Sequence, residues 1–161
     1  MIIPFESLSE SISSLQEKHM VLVGGCFDLL HYGHISFLIE AKKQGDVLIV
    51  GINSDKSVRE YKGPNRPINP EEARSGVVAA LEVVDYVFLF DDTIPNRWLE
   101  LINPQVHCNS SEYGEKCVEK PVLDKIGARL YLVTRDFNDG LSTTEILNKS
   151  KFLKPKSRYR K

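Results

Sequence analysis

Met20-Val21-Leu22-Val23-Gly24-Gly25-Cys26-Phe27-Asp28-Leu29-Leu30-His31-Tyr32-Gly33-His34 changes character twice within fifteen residues or so, and those changes decide the fold. Met20 to Val23 is apolar and β-branched, the composition of a short buried strand, and Gly24-Gly25 ends it in a loop. After His34, apolar Ile35, Leu38, Ile39 and Ala41 recur at helical spacing until Gln44-Gly45, where glycine supplies a stop. The stretch therefore predicts strand, glycine loop and helix in succession.

Downstream, Val47 to Ile52 is a continuous apolar run, too short for a helix and suited to a parallel strand covered on both faces. Pro70 followed by Glu71-Glu72-Ala73-Arg74 predicts a helix running to about Leu81, with acidic residues at its positive end. Tyr86 to Phe90 predicts a third strand. A helix from Asn96 to Leu101, a strand from Gln105 to Cys108, a helix from about Glu115 to Ile126 and a strand from Arg129 to Val133 follow. Upstream, residues 5–18 read as an N-terminal helix. The alternation implies a single-domain α/β fold over 1–148: a Rossmann-like doubly wound parallel sheet with helices on both faces and its ligand site at the C-terminal strand ends. Residues 149–161 read as a basic tail.

Composition narrows the function classes. In 161 residues, 42% are hydrophobic, enough for one real core, and the formal net charge is -1. No global field recruits nucleic acid or an anionic membrane, so anion binding falls to a local constellation. Cys26, Cys108 and Cys117 lack CxxC spacing, which argues against a disulfide framework or a structural zinc site and for reduced thiols. With no signal-peptide core and no apolar run long enough to span a bilayer, a cytoplasmic address is expected.

His31 and His34, three residues apart, sit on neighbouring positions at the start of the predicted helix, where free backbone N–H groups and the macrodipole favour negative charge. Imidazole donors there suit phosphate oxygens. Two other readings stand beside this one: histidines serving only the structure, and a shared metal ion. No third ligand is written nearby, and the helix dipole opposes a bound cation, so no metal site is expected.

Gly25, Phe27, Asp28, His31, Gly33 and His34 fill every specified position of G-x-F-D-x-x-H-x-G-H, and the chain thereby resembles the cytidylyltransferase-like nucleotidyltransferases. Gly140-Leu141-Ser142-Thr143-Thr144 resembles the family's (I/L)-S-(T/S)-T segment, which opens a helix beside the nucleotide phosphates; read alone, the same residues are a helix cap. Lys62-Gly63-Pro64-Asn65-Arg66-Pro67-Ile68-Asn69-Pro70 and Ala80-Leu81-Glu82-Val83-Val84-Asp85 are similar to the K-G-x-x-R-P-x-N-P and A-L-x-x-V-D stretches of the heptose-1-phosphate adenylyltransferases within that superfamily.

The resemblance implies an enzyme that transfers a nucleoside monophosphate, AMP from ATP first, to a sugar 1-phosphate, releasing pyrophosphate and forming a nucleotide-activated sugar for cell-surface polysaccharide. It also implies Mg2+ arriving with the NTP, and a homodimer. A cytidylyltransferase acting on glycerol 3-phosphate or another polyol phosphate is the alternative, and a non-catalytic nucleotide-binding module the third. His31, His34, Lys62 and Arg74 are then the candidate catalytic residues; Gly25, Cys26, Phe27, Asp28, Gly33, His34, Arg66, Ser142, Thr143 and Thr144 the candidate nucleotide-binding set. Lys62, Arg66 and Arg74 enter as fixed cations, the arginines offering bidentate phosphate contacts. The Gly-Pro and Arg-Pro turns around them suggest a loop that closes over substrate. Asn109-Ser110-Ser111-Glu112-Tyr113 replaces the family's K-G-G-D-Y-like segment and leaves base and acceptor open.

Overall fold

A computed structural model describes residues 1–92, 96–114, 116–134 and 143–150 of the chain. Strands β1 (Met20–Gly25) and β2 (Val47–Asn53) pair in parallel from Met20↔Val47 to Gly25↔Ile52 and form the centre of the sheet. With β3 (Tyr86–Phe90), β4 (Val106–Ser110) and β5 (Arg129–Val133) the order is β3-β2-β1-β4-β5, every neighbouring pair parallel. The helices are α1 (Leu8–Ser13), α2 (Tyr32–Lys42), α3 (Asp55–Lys62), α4 (Glu71–Ala79), α5 (Asn96–Ile102), α6 (Lys120–Ile126) and α7 (Thr143–Ser150). Residues 1–3 run beside β3: Ile2 bridges Val87 in parallel and Ile3 N donates to Val87 O at 2.8 Å.

Side chains alternate across the sheet, so each central strand feeds two cores. Met20, Leu22, Val47 and Ile49 face one cluster with Leu8, Ile12, Trp98, Leu99 and Leu123 from α1, α5 and α6. Val21, Val23, Leu48, Val50 and Ile52 face the other with Phe37, Leu38 and Ala41 of α2 and Val78 of α4. That burial on both faces is why these strands read as unbroken apolar runs. The doubly wound α/β expectation is borne out, and the reversal of strand order at β1 and β4 opens a crevice beyond their carboxyl ends.

Several elements differ from the sequence expectation, including β4, expected over Gln105 to Cys108 and observed over Val106–Ser110. The N-terminal helix expected over 5–18 is a 3-10 turn at Phe5–Ser7 followed by α1, which stops at Ser13. Ser13 and Ser14 hydroxyls donate to the carbonyls of Glu10 and Ser11, local bonds by which serine weakens helices. The helix expected from about Glu115 begins at Lys120, because Pro121 has no N–H to donate and is accommodated only in a first turn. α3 was not expected at all: Val58 is its one buried apolar residue among mostly charged ones, too few apolar positions to mark a helix, and it is held by Ser54 Oγ accepting from Ser57 N at 3.1 Å and stopped by Gly63 at φ 90°. α4 ends at Ala79, two residues short of Leu81.

β4 carries a buried titratable group. His107 is 1% exposed, and burial, opposed in part by a hydrogen bond at Leu22, lowers its pKa from 6.5 to about 4. The unfolded chain therefore binds a proton that the folded chain refuses between those values. Stability conferred by neutral His107 is full above pH 6.5 and declines as pH falls towards 4. Between pH 7 and pH 5 the expected loss is about 2 kcal/mol. Urea unfolding of wild type and His107→Leu at both pH values checks this; an equal pH effect in the two proteins would exclude His107 as its source.

Candidate active site

Where β1 ends, the chain turns through Cys26, Phe27 and Asp28 into α2. Phe27 adopts φ 47°, a left-handed conformation costing a bulky residue about 1–2 kcal/mol. Its side chain is nearly buried, a gain of about 1.5–3 kcal/mol that offsets the strain. Gly25 is required by the same ring, because a Cβ there would lie 2.9 Å from Phe27 Cε2.

His31 is the N-cap of α2, extended at φ -141° and ψ 169°, and its carbonyl accepts from His34 N at 2.9 Å. This local geometry brings the two imidazoles to a centroid separation of 3.8 Å, with the Phe27 ring 5.3 Å beyond His34. Gly33 is buried in the first turn between them, its carbonyl accepting from Ser36 Oγ.

A cavity of about 280 Å³ lies at the β1–β4 crevice. Gly24 to Asp28 form its floor, and His31, His34 and Phe37 come from α2. Lys62 and Arg66 stand on one side, Asn109, Ser110 and Tyr113 on the other, and Thr143 and Thr144 enter from the first turn of α7. Cations and a helix N-terminus thus converge on one small space, an arrangement suited to several phosphate groups. A larger hollow of about 990 Å³ between residues 2–9, the end of β3 and α5 is lined by Glu6, Glu71, Asp91, Asp92 and Glu100 against Arg97. Its acidic lining repels phosphate, and it shares no residue with the histidine cavity.

The loop from Gly63 to Pro70 is fastened to the glycine turn. Asp28 Oδ1 accepts from Ile68 N and Asn69 N at 2.8 and 2.9 Å, Asn69 Nδ2 donates to Asp28 O at 2.6 Å, and Arg66 Nη2 lies 2.8 Å from Asp28 Oδ2. The sequence suggested a loop closing over substrate; here it is already tied down. Lys62, the last residue of α3, places its ammonium 5.4 Å from the Tyr61 ring centroid at the cavity edge.

Arg74 departs from its expected place. It is 2% exposed, with Nη1 donating to Cys26 O at 2.6 Å, Nε to Asn69 O at 3.0 Å, and Nη2 to Asp55 at 2.8 Å. It does not line the cavity. It joins the three segments that build the wall, and a guanidinium so engaged has little left for phosphate. Its partner Asp55 carried no signal in the sequence, since nothing in the chain shows that residues nineteen apart will meet across a helix pair, whereas Asn69 stood in the Lys62-to-Pro70 stretch without a stated role. Ser142, Gly140 and Leu141 lie outside the described residues.

The three cysteines are buried and free. Burial raises the thiol pKa of Cys26 despite Lys62 and Arg74 nearby, and that of Cys108 to about 12, so the thiol beside the cavity is neutral rather than nucleophilic. Among the described residues no three His, Cys, Asp or Glu side chains converge as a metal site. Asp28, the one carboxylate among the described cavity-lining residues, is committed to Ile68, Asn69 and Arg66. These residues do not form a cage for Mg2+. No helix among the described residues is long and apolar enough to cross a membrane.

The family model described as Cytidylyltransferase-like matches residues 22–152. The chain is 46% identical over 134 residues to the bifunctional protein HldE of Campylobacter fetus subsp. fetus (strain 82-40), covering 83% of the chain and 28% of that relative. It thus spans less than a third of the length of such curated relatives. Among solved structures, a lipopolysaccharide core biosynthesis protein from Thermoplasma volcanium GSS1 is 30% identical with a TM-score of 0.62, over 76% of this chain and 99% of that one. A pantoate-beta-alanine ligase from Francisella tularensis shares the fold at 17% identity and a TM-score of 0.64, covering 94% of this chain and 77% of that one.

Proposed function

The chain belongs to the cytidylyltransferase-like family, and on that premise we propose that it transfers AMP from ATP to a sugar 1-phosphate, releasing pyrophosphate and forming a nucleotide-activated sugar. The observation that carries this reading is the pair of imidazoles, 3.8 Å apart at the N-terminus of α2, sharing a small cavity with Lys62 and Arg66. A phosphate oxygen of the acceptor attacks the α-phosphorus; the new O–P bond forms as the bond to the β-phosphate bridging oxygen breaks, and the electron pair leaves with pyrophosphate. Charge builds on the α-phosphoryl oxygens and the leaving group. Donors already in place stabilise it without reorganisation, which is the larger part of catalysis in phosphoryl-type transfer.

In this scheme His31 and His34 donate to the phosphoryl oxygens, Lys62 and Arg66 balance the triphosphate and the acceptor phosphate, and Thr143 and Thr144 present the N-terminus of α7 to the nucleotide. The described residues offer no cage for Mg2+, which would arrive with the nucleotide and would supply positive charge against its phosphates. Sugar 1-phosphate is favoured over polyol phosphate by the Lys62-to-Pro70 stretch and by likeness to a lipopolysaccharide core biosynthesis protein.

Pyrophosphate release, measured with Mg2+ and each of ATP, CTP, GTP and UTP against sugar 1-phosphates and polyol phosphates, tests the proposal. ATP with a sugar 1-phosphate is the expected productive pair. Turnover of CTP with glycerol 3-phosphate would reassign base and acceptor, and nucleotide binding without turnover across the panel would favour a binding module.

A further inference from the structure

Asp28 belongs to the glycine-turn motif and borders the cavity, yet its carboxylate is only 1% exposed, with Oδ1 hydrogen-bonded to two backbone amides and Oδ2 in ion-pair contact with Arg66 but without a hydrogen bond. A carboxylate removed from water costs several kcal/mol unless donors replace its hydration, and one beside an incoming polyanion adds repulsion. Both costs are met by the loop after α3. Oδ1 holds two backbone amides, those of Ile68 and Asn69, and Oδ2 lies against the guanidinium of Arg66.

Building on the nucleotidyl-transfer reading, we propose that Asp28 is a positioning residue: it fixes the 66–69 segment to the glycine turn and sets the Arg66 guanidinium at the cavity wall, without touching the reacting atoms. The two oxygens divide the work. The bonds to Oδ1 are backbone bonds and fasten the loop whatever its side chains, whereas Oδ2 acts on Arg66 alone. The Arg66 side chain keeps 17% of its surface exposed where it lines the cavity, so the guanidinium paired to Asp28 still has N–H groups to offer an anion there. Asp28 is in turn neutralised by Arg66, which makes a carboxylate tolerable in a phosphate-binding wall.

Asp28→Asn keeps an oxygen for the two amides and removes the charge that holds Arg66. It should raise the KM for nucleotide about tenfold, the size of one charge-assisted contact, with kcat within about threefold of wild type. Arg66→Ala should raise KM similarly, and Asp28→Asn added to Arg66→Ala should change nothing more. Asp28→Ala, which also frees the amides, should speed hydrogen exchange at Ile68 and Asn69 about tenfold or more in the ligand-free protein, measured by NMR.

A hundredfold fall in kcat for Asp28→Asn at unchanged KM, or effects of Asp28→Asn and Arg66→Ala that multiply, would overturn the proposal in favour of direct contact with the reacting groups. Unchanged exchange at Ile68 and Asn69 in Asp28→Ala would overturn it independently of activity. Should Asp28→Ala not fold, the Asp28→Asn and Arg66→Ala cycle decides alone. Faster exchange in a protein that turns over no nucleotide would leave the latch standing and reject only the reaction.

Discussion

Alanine in place of His31 or His34 is expected to lower the kcat of pyrophosphate release a hundredfold or more, while the chain remains folded. The loss of one preorganised donor to developing phosphoryl charge costs about 3–4 kcal/mol of transition-state stabilisation. Retention of the fold follows from the N-terminus of α2: His31 is the N-cap but its side chain makes no cap hydrogen bond, so truncation costs the ring contact with His34 and no capping bond. His34 stacks between His31 and Phe27, and its truncation leaves a gap as well as a missing donor. His34→Gln separates the two effects, because it refills space and can donate from an amide. Thermal unfolding midpoints with kcat and KM for each variant check the prediction; near-wild-type kcat in a folded variant removes that histidine from the chemistry.

Arg74→Met is expected to destabilise the protein by about 3 kcal/mol. Removing one member of a buried ion pair costs roughly 3–5 kcal/mol, and the low end applies because the Asp55 side chain is 23% exposed and keeps some hydration. Methionine fills much of the space but leaves the carbonyls of Cys26 and Asn69 without their donor. Activity should fall with stability, since those two carbonyls belong to the glycine turn that lines the cavity and to the loop that carries Arg66. Arg74→Lys should recover little: one ammonium does not reproduce three diverging N–H contacts. The urea midpoint decides. An unchanged midpoint with a raised nucleotide KM would return Arg74 to the phosphate-binding role that the sequence suggested.

These expectations show what the chain disclosed and what it withheld. The β1–loop–α2 unit was legible because an apolar run, two glycines and an apolar helical period follow one another without ambiguity, and β2, β3 and β5 were legible for the same local reason. The histidines were legible through residue type and spacing, Lys62 and Arg66 only through the resemblance of the Lys62-to-Pro70 stretch, and the four do meet in one cavity. Arg74 was misplaced because sequence records a charge and not the side of a helix on which it ends; a first-turn arginine after Pro70 reads as a surface cation until Asp55 is seen beside it. α3 was invisible because one buried valine among charged residues gives too few apolar positions to mark a helix. Helix ends near Ser13 and Lys120 were set by side-chain hydroxyls and a proline, signals that propensity averages over.

The loop tied down by Asp28 and Arg74 bears on how fast a ligand is captured. Fixing one residue's backbone costs about 1–2 kcal/mol, and for Arg66 to Asn69 that ordering is complete before any ligand arrives. Association then needs no closing of the 66–69 segment, and its rate should follow the attraction between Lys62, Arg66 and a polyanion, declining steeply as ionic strength rises.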